Sequence, residues 1–107
     1  MSFQGNSFTG KFEGNLGPKL RLLQAIPVLV EKDAFNHTIV WWEETEEFGY
    51  GDSVDEAMDD FGRSVVELYF TLNGGDRLGP GLTRIKSVVA QYIVPRTAKP
   101  QLSDPSG

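Results

Sequence analysis

Apolar and polar positions recur along this chain with two different periods, and the change of period divides it. From Leu20 to Val30 the period is two: Leu20 and Leu22 alternate with Lys19 and Arg21, and Ile26, Val28 and Val30 continue the series. Such alternation puts one side of an extended strand on a core and the other toward solvent. Pro27 interrupts the run with a residue that cannot donate to a ladder, which predicts an edge position or a bulge. Glu31 to Asn36 reads as a hairpin connection. A second strand is predicted from His37 to Glu46, where Thr38, Ile39, Val40, Trp41 and Trp42 suit a pleated surface. Phe48 to Gly51 is open between a short third strand and a bend.

Beyond Gly51 the period becomes helical. Val54, Ala57, Met58, Phe61, Val65, Leu68, Tyr69 and Leu72 recur at spacings of three and four and form one apolar stripe. Ser53 stands at the N-cap and Glu56 three residues later, the reciprocal capping pattern. Asp52, Asp55, Glu56, Asp59 and Asp60 put negative charge at the positive end of the helix dipole. Asn73-Gly74-Gly75 ends the helix, because both residue types tolerate the left-handed conformation. A second helix is predicted from Gly81 to Val94, with Pro80 near its start, Leu82, Ile85, Val89, Tyr92 and Ile93 as its stripe, and Pro95 stopping it. The β-branched content of Ser87–Val94 leaves a strand reading open there.

These elements predict an α+β domain over residues 18–94, a two-layer sandwich. A small antiparallel sheet of two to four strands is packed by an amphipathic helix, and a second, C-terminal helix follows. Residues 1–17 are rich in Gly, Asn and Ser, with Phe3, Phe8 and Phe12 at a spacing that fits neither element, so a flexible arm docking by its phenylalanines is expected. Residues 95–107 carry Pro95, Pro100 and Pro105 among small polar residues, and a disordered tail is expected.

Composition narrows the chemistry. A length of 107 residues with 39% hydrophobic content supports one modest core and leaves little room for a deep cleft. No apolar run approaches the roughly 18–20 residues needed to cross a bilayer, and the first residues lack the features of a secretory signal, so a cytoplasmic location is expected. The absence of cysteine excludes disulfides, zinc–thiolate sites and thiol nucleophiles. Net charge is −5, unevenly spread: between Glu43 and Asp60 stand nine acids and no base, whereas six bases face three acids from Phe61 onward. An acidic middle repels phosphate backbones and attracts basic protein surfaces, or serves as a solvated face.

Catalytic patterns are thin. The single histidine, His37, lies beside Asn36 at a hairpin shoulder and reads as an exposed turn residue. The acids of residues 52–60 are accounted for by capping and solvation, and EF-hand spacing is absent. Gly74 to Gly81 lacks the G-K-[ST] ending of a phosphate loop and follows a helix, so it reads as a linker. Arg84 and Lys86, two residues apart, do not share a helix face. No catalytic, cofactor or metal residue is expected, nor direct nucleic-acid binding. Trp41-Trp42 carries more information. Neighbours on a strand point to opposite sides, so at most one tryptophan faces the helix-covered core. By the same alternation Glu43 goes with Trp41 and Glu44 with Trp42, on what is expected to be an edge strand. Trp41 and Trp42 as anchors, with Glu44 and Glu46 as steering carboxylates, are the candidate partner-binding residues.

The order strand, hairpin, strand, then Gly51-Asp52-Ser53-x-x-Glu56-Ala57 opening an amphipathic helix, resembles the HicB antitoxin-like family over about Leu23 to Leu72. The continuation Leu78-Gly79-Pro80-Gly81-Leu82 looks like a stand-alone subgroup. The resemblance implies a small oligomerising α+β domain, a partial RNase H-like fold without catalytic residues, that binds and blocks a small basic mRNA-cleaving toxin. Where relatives have a proline–glycine turn, this chain has Glu43-Glu44-Thr45-Glu46-Glu47, and it ends in a Pro/Ser-rich stretch in place of a DNA-binding segment. The expectation is a non-enzymatic protein-binding module; the alternative is an orphan structural homo-oligomer of the same fold with no toxin partner.

Overall fold

The alternating run over residues 20–30 folds as two strands rather than one. In the computed structural model, which describes residues 7–75 and 77–96, β1 (Ser7–Phe12) is followed by β2 (Leu20–Leu22) and β3 (Ile26–Lys32), which share the run. Then come β4 (Thr38–Trp42), β5 (Glu47–Gly51), α1 (Val54–Leu72), α2 (Pro80–Ala90) and β6 (Ile93–Pro95). An antiparallel sheet of order β1-β3-β4-β5 is packed by helix on one side, and β2 pairs with β6 in a separate two-stranded antiparallel sheet. The fold is α+β. Among the described residues no helix is long and apolar enough to cross a membrane.

Register places one row of small and apolar residues on the α1 side of the sheet, and the helix covers its β4 and β5 members. Phe8 lies opposite Val30, Val30 opposite Val40, and Val40 opposite Gly49. Ala57, Phe61 and Val65 of α1 bury themselves on this side, as the stripe predicts. Phe61 is fully buried, which contributes roughly 1.5–3 kcal/mol relative to an exposed position. It meets Phe12 edge-to-face at 5.2 Å and Trp42 at 6.3 Å. Gly49 lets the helix come this close: a Cβ there would collide with the Phe61 backbone nitrogen and the Ala57 carbonyl oxygen.

The helix cap forms with one shift. Ser53 Oγ accepts from the Glu56 N–H at 3.1 Å, while the Glu56 carboxylate accepts from the N–H of Asp52 at 2.9 Å, one residue before the cap. At the far end the Asn73 side chain donates to the Tyr69 carbonyl at 2.9 Å, and Gly75 takes a φ of 96°.

Four expectations change. Residues 7–12 are a strand, not part of a flexible arm: Phe8 and Phe12 are four apart, in phase with a period of two, and Phe12 is buried against Phe61. Residues 1–6, with Phe3, lie outside the described residues, as do 97–107 of the expected tail. Pro27 is on an interior strand, but β4 pairs with β3 only over Leu29–Lys32, so at Pro27 the strand has one neighbour, β1. The second predicted strand stops at Trp42, because the Trp42 carbonyl accepts from the N–H groups of Thr45 and Glu46 and the chain turns. Finally, the predicted second helix ends at Ala90. Of the strand reading for Ser87–Val94 only Ile93 and Val94 hold, in β6, flanked by hydrogen bonds from Leu23 N–H to the Tyr92 carbonyl (2.7 Å) and from Arg96 N–H to the Lys19 carbonyl (2.8 Å).

Candidate functional site

The side of the four-stranded sheet turned away from α1 is also apolar. Alternation on β5 forces this outcome: Gly49 and Gly51 must face the helix, where a Cβ would strike α1 backbone, so Phe48 and Tyr50 point the other way. They remain 50% and 45% exposed. Register aligns Thr9, Leu29, Trp41 and Phe48 in one row and Glu31, Ile39 and Tyr50 in the next. The rings of Trp41 and Phe48 lie 6.2 Å apart, tilted by 32°. Between these rows runs a shallow groove of about 460 Å³, lined by Leu29, Ile39, Trp41 and Phe48 with the carboxylates of Glu31 and Glu43. Lys11, opposite Pro27, belongs to the same side.

Three of the four residues selected from the sequence, Trp41, Trp42 and Glu44, line one shallow pocket together with Glu43, and Glu46 does not, but their surroundings differ. Trp41 lies on this open face. Trp42 does not: it is 1% exposed and packs edge-to-face on Tyr92 at 5.4 Å, so it is a core residue and no anchor. Neither tryptophan is on an edge, because β5 adds beyond β4 and makes β4 an interior strand. Glu44 and Glu46 are exposed turn residues after the strand's end, so alternation does not carry Glu44 to the side of Trp42. The Glu44 carbonyl accepts from the Arg84 guanidinium at 3.5 Å. Glu46 takes a φ of 65°, where asparagine or glycine is the usual occupant. Glu43, expected beside Trp41, does line its groove. Phe48, Tyr50, Leu29 and Ile39 were not singled out from the sequence, although the glycines at 49 and 51 between aromatics were the available signal.

His37 sits at one end of the open face, half-buried, not a freely exposed turn residue. Its Nδ1 lies 3.4 Å from Asp33 Oδ2 and its Nε2 3.4 Å from Asp52 Oδ1. The imidazole thus lies between two carboxylates, and Nδ1 itself, buried, makes no hydrogen bond. The ring stacks on Tyr50 at 5.1 Å, and the Tyr50 hydroxyl donates to Asp33 Oδ2 at 3.4 Å. With a carboxylate at each ring nitrogen, the arrangement bridges the β3–β4 turn to the start of α1. The backbone N–H of His37, donating to Asp33 Oδ1 at 2.9 Å, holds the Asp33 carboxyl below its ordinary pKa, with the Phe35 N–H adding to it. Burial pushes the Tyr50 phenol up, and the charge of Asp33 adds. On the helix side, burial raises Glu47, reinforced by Glu67.

No protein-family model, curated protein or solved structure matches this chain. The functional reading therefore rests on the side chains of the open face and their charge.

Proposed function

We propose that this chain is a non-enzymatic, HicB-like protein-binding module of the cytoplasm that acts by occupying a small basic partner, of the kind an antitoxin blocks. The observation that carries the reading is the open sheet face, where Trp41 and Phe48 form an aromatic centre and Glu31 and Glu43 border it. An apolar centre with acidic surroundings is complementary to a partner that presents an apolar patch among lysines and arginines. The net charge of −5 adds long-range attraction for such a partner. Trp41 is the anchor, Phe48 its neighbour, and Glu43 the nearest steering group.

The test looks for a small basic protein encoded beside this chain, whose absence counts against the reading, and with such a protein measures both affinity and inhibition of RNA cleavage. Trp41→Ala is expected to cost about 2 kcal/mol of binding, roughly thirtyfold in affinity. Glu43→Lys should slow association more at low salt than at high salt. Full-affinity binding by folded Trp41→Ala, or undiminished RNA cleavage in the complex, refutes the assignment.

A further inference from the structure

The groove on the open face has an apolar floor and an acidic border whose charge is not answered within the described chain. Register puts Leu29 and Phe48 on either side of Trp41, with Ile39 in the next row. Glu31, directly opposite Ile39, is a diagonal neighbour of Trp41 across the strand pair, and such neighbours stand about 7–8 Å apart. Glu43 follows Trp41 by two positions and lines the same groove. Trp41 therefore has a carboxylate on each side along the strand direction. Among the described residues neither carboxylate forms an ion pair, not even with Lys11, which register places on this side of the sheet.

An aromatic face attracts a cation stacked on it, the more so where water is excluded, and flanking carboxylates add ion pairs to the same group. The surroundings choose between the two basic side chains. The compact ammonium of lysine is strongly hydrated and would lose that hydration over Leu29 and Ile39. The guanidinium of arginine is flat and weakly hydrated, so it can lie on an indole and still aim in-plane N–H donors at a carboxylate beside the ring. With centroids 6.2 Å apart and planes tilted by 32°, Trp41 and Phe48 sit side by side, which gives the aliphatic stem of that side chain a resting place on Phe48. Pairing of a partner strand at the neighbouring β5 edge is hindered, because the Tyr50 N–H there already donates to Asp60 Oδ2 at 3.0 Å. What docks beside β5 meets side chains.

We infer that the groove is an arginine-binding site. The guanidinium of a partner protein's arginine stacks on Trp41, its stem rests on Phe48 and Leu29, and Glu31 and Glu43 accept its N–H donors. The inference rests on the proposed function for the basic protein that meets this face, and names the side chain that enters the groove.

The probe is N-acetyl-arginine amide, titrated into the intact protein and followed by the NMR shift of the Trp41 indole N–H. The indole of Trp42, buried in the core, is the internal reference. A saturable shift at Trp41 is expected, with a Kd on the order of 10 mM. N-acetyl-citrulline amide, which keeps the shape without the charge, should give no saturable shift, and N-acetyl-lysine amide should bind at least about threefold more weakly. Glu31→Gln and Glu43→Gln should each weaken arginine binding roughly twofold to threefold, and in Trp41→Ala the shift of the Phe48 ring should no longer saturate. Equal binding of citrulline or lysine, or an arginine response that spares the Trp41 indole or survives Trp41→Ala, overturns the inference. The titration contains no partner protein. Its failure therefore leaves partner capture to its own test, and the absence of a basic partner leaves the arginine site standing.

Discussion

The two faces of the sheet carry similar numbers of apolar side chains and have opposite fates. On the helix side Val28, Val30, Val40 and Trp42 are buried, whereas on the other side Leu29, Ile39, Trp41, Phe48 and Tyr50 stay half-buried or exposed. Trp41 and Trp42 are chain neighbours, yet one is a surface residue and the other a core residue. Hydrophobicity by itself does not identify a core; the position of the covering helix does. That position is set by glycine, because α1 can lie only where β5 offers backbone without side chains.

The sharpest way to break the comparison is to truncate each tryptophan. Trp42→Ala is expected to cost about 3–5 kcal/mol, a large share of the total stability of a small domain, because it empties the space between Phe61 and Tyr92. Trp41→Ala should cost about 1 kcal/mol or less, since its site already opens to solvent. Urea denaturation of the two variants separates them, and equal losses would refute the assignment of faces.

A smaller contrast lies within β5. Gly49→Ala sets a methyl group against α1 backbone that cannot move aside cheaply, and about 1–3 kcal/mol of destabilisation is expected. Phe48→Ala, on the open side, should cost about 1 kcal/mol or less. Thermal melts of both variants check this.

Acidity gives the finest contrast, because one carboxylate near each face is shifted in the opposite direction. Glu47, raised above its ordinary 4.5, is harder to ionise in the folded than in the unfolded chain, so it penalises folding as pH rises through that value and above. Glu47→Gln should raise stability at pH 7 by up to about 1 kcal/mol and leave it unchanged at pH 3. Asp33, depressed below its ordinary 3.8, adds stability that is present above that value and lost as pH falls through it. Asp33→Asn, which keeps an oxygen acceptor for the turn, should therefore lower stability at neutral pH, with the deficit closing in acid. Urea midpoints across pH 3–7 would show the two effects with opposite sign.

Local features were legible in the chain: the α1 stripe, its Ser53 cap and the strand character of Val28–Val30 and Thr38–Trp42 all follow from spacing and side-chain type. Pairings distant in sequence were not. β2 meets β6 about seventy positions away, and a three-residue strand carries no period from which to infer it. β1 was hidden for another reason, since its helix side includes Gly10 and so shows only two large apolar residues. The interior position of β4 depended on Phe48–Gly51 forming a strand, which its two glycines made ambiguous. Half of the candidate site shared that fate: Trp41 was visible as an aromatic neighbour of acids, but its exposure could not be distinguished from that of Trp42 until the helix had a place.

The hydrogen bond from the Tyr50 N–H to Asp60 of α1 also bears on growth at the β5 edge. A sheet with two available edges can add copies indefinitely and lengthen into a fibre, whereas a sheet with one must stop once that edge is matched. The contact of Asp60 with the Tyr50 N–H therefore occupies one edge donor of β5 as well as tying the strand to the helix. A strand added at β5 would have to displace that carboxylate before it could reach the Tyr50 donor.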